Sequence, residues 1–216
     1  MIGSGRVRIA WVAAVSGALA WTSAARATVL NFDDLPAPPT HDQSFVPDTY
    51  AGFNFDDSNG NPQWFVETDS DYTGPNSFYQ NSYGAASSPN AIGNSGGALL
   101  ATISRDTPFN FVGADFTSFA GFDSYQLSSS EYVTLQGYLN GSPVTAPVSA
   151  HLTPTGYQFV TANFNNIDTL AIEASPSSTA DQSFYLLDNL TYTEVPEPGM
   201  LWAGALAFLV CRRRRH

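Results

Sequence analysis

Tyr132-Val133-Thr134-Leu135-Gln136-Gly137-Tyr138-Leu139-Asn140-Gly141 decides the fold class. Val133, Leu135 and Leu139 fall on one face and Tyr132, Thr134, Gln136 and Tyr138 on the other, the period-two pattern of a half-buried strand. Asn140-Gly141 then supplies a two-residue hairpin turn, because both residue types tolerate positive φ. The same pattern recurs outward from here. Upstream lie Thr28–Phe32, Tyr50–Phe55, Trp64–Val66, Ala98–Ser104 and Phe109–Phe119. Downstream lie Val144–Val148, Tyr157–Ala162, Asp168–Ala174 and Phe184–Thr193, separated by Pro-, Ser- and Asn-rich turns. About ten short strands at this spacing predict an all-β, antiparallel sandwich or barrel. Thr68–Gly97 lacks alternation and is rich in Ser, Asn, Gly and Pro, so it reads as one long loop, either functional or mobile.

Charge divides the chain. It has 8 basic and 19 acidic residues, and all of the basic ones are arginines. Arg6, Arg8, Arg26 and Arg212–Arg215 lie in the two ends. Between Thr28 and Glu194 Arg105 stands against 18 of the 19 acids (all but Glu197), a net charge of −17. Such a field repels nucleic acid and anionic lipid, suits divalent cations and favours solubility. Cys211 is the only cysteine and lies near the C-terminus, so the central segment holds neither a disulfide nor thiol chemistry.

The ends read as addresses. Arg6 and Arg8 precede an apolar run, Ile9–Trp21, and Ala25-Arg26-Ala27 has the small-x-small form of a signal-peptidase site. Residues 1–27 are therefore expected to be a signal peptide with a helical core, and the mature chain to begin at Thr28. Residues 195–216 carry Val195-Pro196-Glu197-Pro198, then 13 apolar residues from Gly199 to Cys211, then Arg212, Arg213, Arg214 and Arg215. As a helix that run spans about 20 Å against a hydrocarbon core of about 30 Å, short for a permanent transmembrane helix. The arginines hold its end on the cytoplasmic side.

The order of tripeptide, apolar run and basic cluster resembles the PEP-CTERM sorting signal of exported proteins of Gram-negative bacteria. That resemblance implies processing by signal peptidase and an exosortase, a transient inner-membrane tether, and a final place at the cell surface or in the extracellular matrix. A second resemblance covers residues 28–194. Asn-Phe-Asp-Asp-Leu (31–35), Tyr-Ala-Gly-Phe-Asn-Phe (50–55), Phe-Asn-Phe-Val-Gly-Ala-Asp-Phe (109–116), Val-Thr-Leu-Gln-Gly-Tyr (133–138), Asn-Asn-Ile-Asp-Thr-Leu (165–170) and Leu-Leu-Asp-Asn-Leu-Thr-Tyr (186–192) occur in the order seen in a large group of PEP-CTERM proteins. It implies a jelly-roll β-sandwich of the galactose-binding or carbohydrate-binding-module kind, a group in which most members have no assigned activity.

Few residues offer chemistry. In the last strand, alternation puts Phe184, Leu186, Asp188, Leu190 and Tyr192 on one face, so Asp188 falls among apolar neighbours and needs a partner, a proton or a metal. The first strand carries Leu30, Phe32 and Asp34 on one face, with Asp33 beside them. With first and last strands adjacent, Asp33 or Asp34 could share a hard cation with Asp188, and calcium suits an all-oxygen set. The sandwiches that the fold resembles often hold such a structural calcium. In the alternative reading Asp33 caps a turn and Asp188 accepts from backbone amides.

Trp64, Tyr72, Tyr79 and Tyr83, with Phe78 and Tyr125, are candidates for stacking on a sugar, and Asp71, Asn76 and Asn81 for hydrogen bonds beside it. For Trp64 the alternative is the core. Asp57–Asn61 and the Asp69/Asp71 pair read as solvated turns. His41 and His151 have no metal-type spacing and no Gly-x-Ser-x-Gly elbow occurs, so the reading is that the protein is not an enzyme. The expected function is a surface-sorted, non-catalytic structural or adhesive component of an extracellular polysaccharide matrix. The alternatives are a carbohydrate-binding module with an aromatic site in 64–83, and an exopolysaccharide hydrolase or lyase.

Overall fold

Two strands of 19 residues each, β7 (Leu100–Ser118) and β11 (Gln158–Pro176), organise an antiparallel β-sandwich. A computed structural model describes residues 26–36, 44–55, 63–69, 84–119, 129–153, 155–176 and 182–195. The expected signal helix and short C-terminal helix lie outside the described residues. The other strands are β1 (Thr28–Leu30), β2 (Ser44–Phe45), β3 (Thr49–Tyr50), β4 (Phe53–Asn54), β5 (Trp64–Thr68), β6 (Asn90–Asn94), β8 (Ser130–Leu139), β9 (Ser142–Pro143), β10 (Val148–His151) and β12 (Tyr185–Glu194).

β7 and β11 pair from Gln158↔Phe116 to Glu173↔Leu100. Fully extended, each would reach about 60 Å, too long for one layer of a domain this size, so the pair must bend. The ladder breaks register between Thr161 and Phe164, between Phe164 and Ile167, and between Ile167 and Thr169. Asn163 and Asn166 sit there at φ 53°, a left-handed conformation that asparagine tolerates. The Asn166 N–H is held by Asn110 Oδ1 at 2.9 Å. Such bulges bend and twist a strand. The first half of β11 and second half of β7 therefore join β12, β6, β5 and β2 in one layer. The other halves join β8 and β10 in the second, with β4 meeting β7 at Ser104.

The main core lies between the layers. Trp64, Ile92, Phe116, Tyr185 and Leu187 face Ala101, Ile103, Val133, Leu135, Leu170 and Ile172. The Trp64 indole N–H donates to the Thr102 carbonyl at 3.1 Å, tying one layer to the other. Phe53 meets Phe109 and Tyr192 edge-on at 5.0 and 4.9 Å. Arg105 closes this end: its guanidinium lies 5.1 Å from the Phe53 ring centroid and donates to both Glu194 carboxylate oxygens at 2.8 and 2.9 Å. A smaller cluster of Phe65, Phe119, Phe184 and Leu186, with Tyr157 against it, covers the outer side of the first layer.

Several expectations from the sequence hold. Val133 and Leu135 are buried, and Asn140 and Gly141 turn the β8–β9 hairpin at φ 51° and 74°. Others are corrected. The runs 98–104 and 109–119 are parts of one strand, as are 157–162 and 168–174, because bulges break the alternation without ending the strand. Ser142–Pro143 and Val148–His151 replace the strand expected at Val144–Val148. Within the supposed loop Thr68–Gly97 lies β6, all five residues buried. Its polar ends satisfy backbone groups: Asn94 Nδ2 donates to the Ser183 carbonyl at 2.6 Å and Asn94 Oδ1 accepts from Tyr185 N–H at 3.0 Å. In β12, Asn189 at φ 50° inserts an extra residue opposite β7, so Phe184, Leu186 and Asp188 face outward while Leu190 and Tyr192 turn into the main core.

The Phe65 ring packs directly on Gly93, where an added Cβ would meet it at 2.3 Å. Gly93→Ala is expected to destabilise the domain by about 1–3 kcal/mol through overpacking. Urea unfolding checks this, and an unchanged midpoint and slope would show that Phe65 can step aside.

Candidate functional site

The outward face of β12 carries the site, because the Asn189 bulge leaves Asp188 there. Asp188 is fully buried, covered by residues 84–90. Its carboxylate accepts from Ser87 N–H at 2.7 Å, from the Ser87 hydroxyl at 3.1 and 3.3 Å, and from Asn189 N–H at 2.6 Å. The segment is clasped at further points. Asp69 accepts from Ala85 N–H at 2.7 Å, Asp33 from Asn90 N–H at 3.4 Å, and the Tyr157 hydroxyl donates to the Gly84 carbonyl at 2.6 Å. Carboxylates thus take the backbone donors of a segment that has few strand partners of its own.

The electrostatics are one-sided. Asp188 and Asp115 are cross-strand partners, and Asp115 accepts from Asn189 Nδ2 at 3.0 Å. Burial raises the Asp188 carboxyl to about 7 from an ordinary 3.8, and the charge of Asp33 adds to the rise; the donors from Ser87 and Asn189 work against it. Burial, then the carboxylates of Asp188, Asp69, Glu67 and Asp115, push the Tyr157 phenol well above its usual range, so it remains a donor. Burial and the adjoining Asp34 carboxylate raise Tyr50 too.

The structure brings Asp33 within electrostatic reach of Asp188, but Asp34 turns to the Tyr50 hydroxyl and does not join them. The Asn90 side-chain amide beside Asp33 donates to the carbonyls of Phe32, Asp33 and Leu35, while its Oδ1, fully buried, accepts no hydrogen bond. Asp33 and Asn90 Oδ1 are oxygen groups of the kind calcium takes. Among the described residues no group of three or more His, Cys, Asp and Glu side chains is placed to hold a metal. Trp64 is corrected as a sugar platform: its ring is fully buried and its N–H is spent on Thr102. Tyr72, Tyr79 and Tyr83, with Phe78, Tyr125, Asp71, Asn76 and Asn81, lie outside the described residues, as do His41 and the Asp57–Asn61 turn.

What the sequence missed is the partner of Asp188. Ser87 is 101 residues away and belongs to a stretch without pattern. The signal that was present is the burial of Asp188 itself, which demanded a donor.

The raised carboxyl sets a pH dependence. The folded chain keeps the Asp188 proton up to about pH 7, whereas the unfolded chain releases it near 3.8. Between these values the folded state binds more protons, so this contribution, full below the unfolded value, is lost as pH rises through the window. It amounts to at most about 4 kcal/mol at 1.36 kcal/mol per unit. In chelator, Asp188→Asn should flatten the fall in stability between pH 4 and 7 relative to wild type, as read from urea midpoints. Identical slopes for both proteins would refute the shift.

No family model matches the chain, and no curated protein matches it. Among solved structures it is similar to CBM51 from Clostridium perfringens GH95, solved in complex with methyl-galactose, at 12% identity over 77% of this chain and 100% of that one, with a TM-score of 0.34.

Proposed function

We propose that the protein is an exported, non-catalytic adhesive β-sandwich that holds extracellular polysaccharide at the cell surface. One observation carries this reading. The outward side of the second layer carries hydroxyl and amide groups set on strands, with the exposed Glu173 carboxylate across from Thr134. Thr134 and Ser149 are hydrogen-bonded across β8 and β10 at 2.8 Å, Gln136 is bonded to the Thr145 carbonyl, and Tyr132 meets the His151 ring edge-on at 5.0 Å. Donors and acceptors fixed on strands suit a polyhydroxylated partner, because little side-chain freedom is lost on contact. The single described cation beyond Thr28, Arg105, is committed to Glu194, which leaves no basic surface for a polyanion. The terminal segments supply the address: signal peptidase acts before Thr28 and an exosortase at Pro196-Glu197-Pro198.

Two measurements test this. Intact mass of the surface-released form should fit a chain that begins near Thr28 and lacks Gly199–His216; a form that keeps Cys211 and the arginines would favour a simple anchor. The protein should co-sediment with polysaccharide from the producing cells without generating reducing ends. Release of oligosaccharides would establish a hydrolase or lyase instead.

A second reading concerns calcium at Asp33 and Asp188, favoured by the buried, unaccepting Oδ1 of Asn90, a residue whose backbone N–H meets Asp33. A cation there would compete with the Asp188 proton. Calcium should raise the melting temperature at matched ionic strength and release protons near pH 6, and Asp188→Asn should abolish both effects. If sodium chloride reproduced the shift, screening alone would account for it.

A further inference from the structure

Phe159 is an aromatic side chain left in the open, 46% exposed on an otherwise well-packed sheet. Its ring does not stand out into solvent. It lies down over Gly113 of β7, where an added Cβ would meet ring atoms at 2.7 and 2.9 Å and the Val160 carbonyl at 2.5 Å. The missing side chain of Gly113 makes room for the ring against the β7 backbone, and nearly half of the side chain stays open to water. Phe159 is the cross-strand partner of Asp115, which in turn is the partner of Asp188. Asp115 is half-buried and is held by Asn189 Nδ2 at 3.0 Å; Asn189 itself is fixed by the bulge that turns β12. An exposed ring, a carboxylate and an amide thus stand side by side on three neighbouring strands, none of them on a loop.

We propose that Phe159, Asp115 and Asn189 form a binding site for one pyranose unit of a neutral polysaccharide. This rests on the polysaccharide-holding reading above and adds a contact point on the opposite side of the sandwich, the outward face of the first layer. The π face of an aromatic ring carries partial negative charge and attracts the weakly positive C–H groups on one side of a sugar ring. A carboxylate is acceptor-only and engages hydroxyl donors on the sugar's rim. Asn189 Nδ2 already holds Asp115, so the carboxylate is aimed before the ligand arrives. The ionisable residues in register with Phe159 are Asp115 and, one strand further, Asp188, both acidic, so a uronate or sulfated sugar would be repelled and a neutral one accepted.

Native affinity electrophoresis of the purified chain in gels containing β-glucan, galactomannan or xylan, with alginate as the anionic comparison, tests the site. At least one neutral polymer should retard the protein, and alginate should not. Phe159→Ala should weaken retardation by about tenfold or more, the loss typical of a central aromatic anchor. Phe159→Tyr should preserve it, which separates loss of stacking from loss of folding, and Asp115→Asn should weaken it. Phe45→Ala, at the exposed ring on edge strand β2, should leave it unchanged. Retardation that survives Phe159→Ala would overturn this site while leaving the polysaccharide reading intact. Equal retardation by alginate would overturn the neutral ligand, and a wild-type protein retarded by no polymer would overturn the site together with the reading it rests on.

Discussion

Everything in this fold depends on the pairing of β7 with β11, because among the described residues it is the one ladder that belongs to both layers. Each strand gives one half to the first layer and the other half to the second. The sandwich is thus closed along this side by continuous strands, with the bend spread over the bulged positions of β11. Sliding the ladder by one residue would turn Ile103, Phe111 and Phe116 outward and their polar neighbours inward. The main core, drawn from both halves of both strands, fixes the register.

The same constraint explains what the sequence could disclose. β8 was legible because it is a regular strand with one buried face, and its turn is specified by two adjacent residues. β7 and β11 were legible in pieces, since a bulge resets the alternation while the hydrogen-bonded strand continues. β6 was hidden for a different reason. Asn90, Gly93 and Asn94 have low β-propensity and are buried because of specific tertiary partners, the 32–35 turn, the Phe65 ring and residues 183 and 185. At the candidate site, Asp188 was conspicuous from its neighbours alone. Its facing was misread beyond Asn189, because a positive-φ residue inside a strand leaves no mark in a hydropathy pattern. Phe159 was concealed as an ordinary strand residue, and only its resting place on Gly113, 46 positions earlier in the chain, gives it meaning.

Charge connects the buried and exposed parts of this face. Asp33, Glu67, Asp69, Asp115 and Asp188 gather acidic groups around Asp188 and Tyr157 on the outer side of the first layer. The structure meets that excess with backbone N–H groups and with a proton retained on Asp188, while the Tyr157 phenol holds the Gly84 carbonyl. These devices anchor residues 84–90 over β12. They also leave acidic side chains on the face that carries the Phe159 ring.

β12 is where the chain's ends and its mechanics meet. β1 pairs with its last turns of register, Thr28 opposite Tyr192, so the expected start of the mature chain lies beside its exit at Glu194. Arg105 clamps Glu194 from β7 with two charge-assisted hydrogen bonds and is itself held over Phe53 and Tyr192. A surface protein held through Val195 and the residues after it would be loaded along β12. That strand is not an edge: β7 runs along one side, and β6 and then β1 along the other. Force would therefore fall on several inter-strand hydrogen bonds in shear at once, with the Arg105–Glu194 pair guarding the point of entry. Polysaccharide bound at the site proposed at Phe159 would pull through β11 and β7 into the same strand, so adjacent ladders would join that contact to the proposed route of attachment.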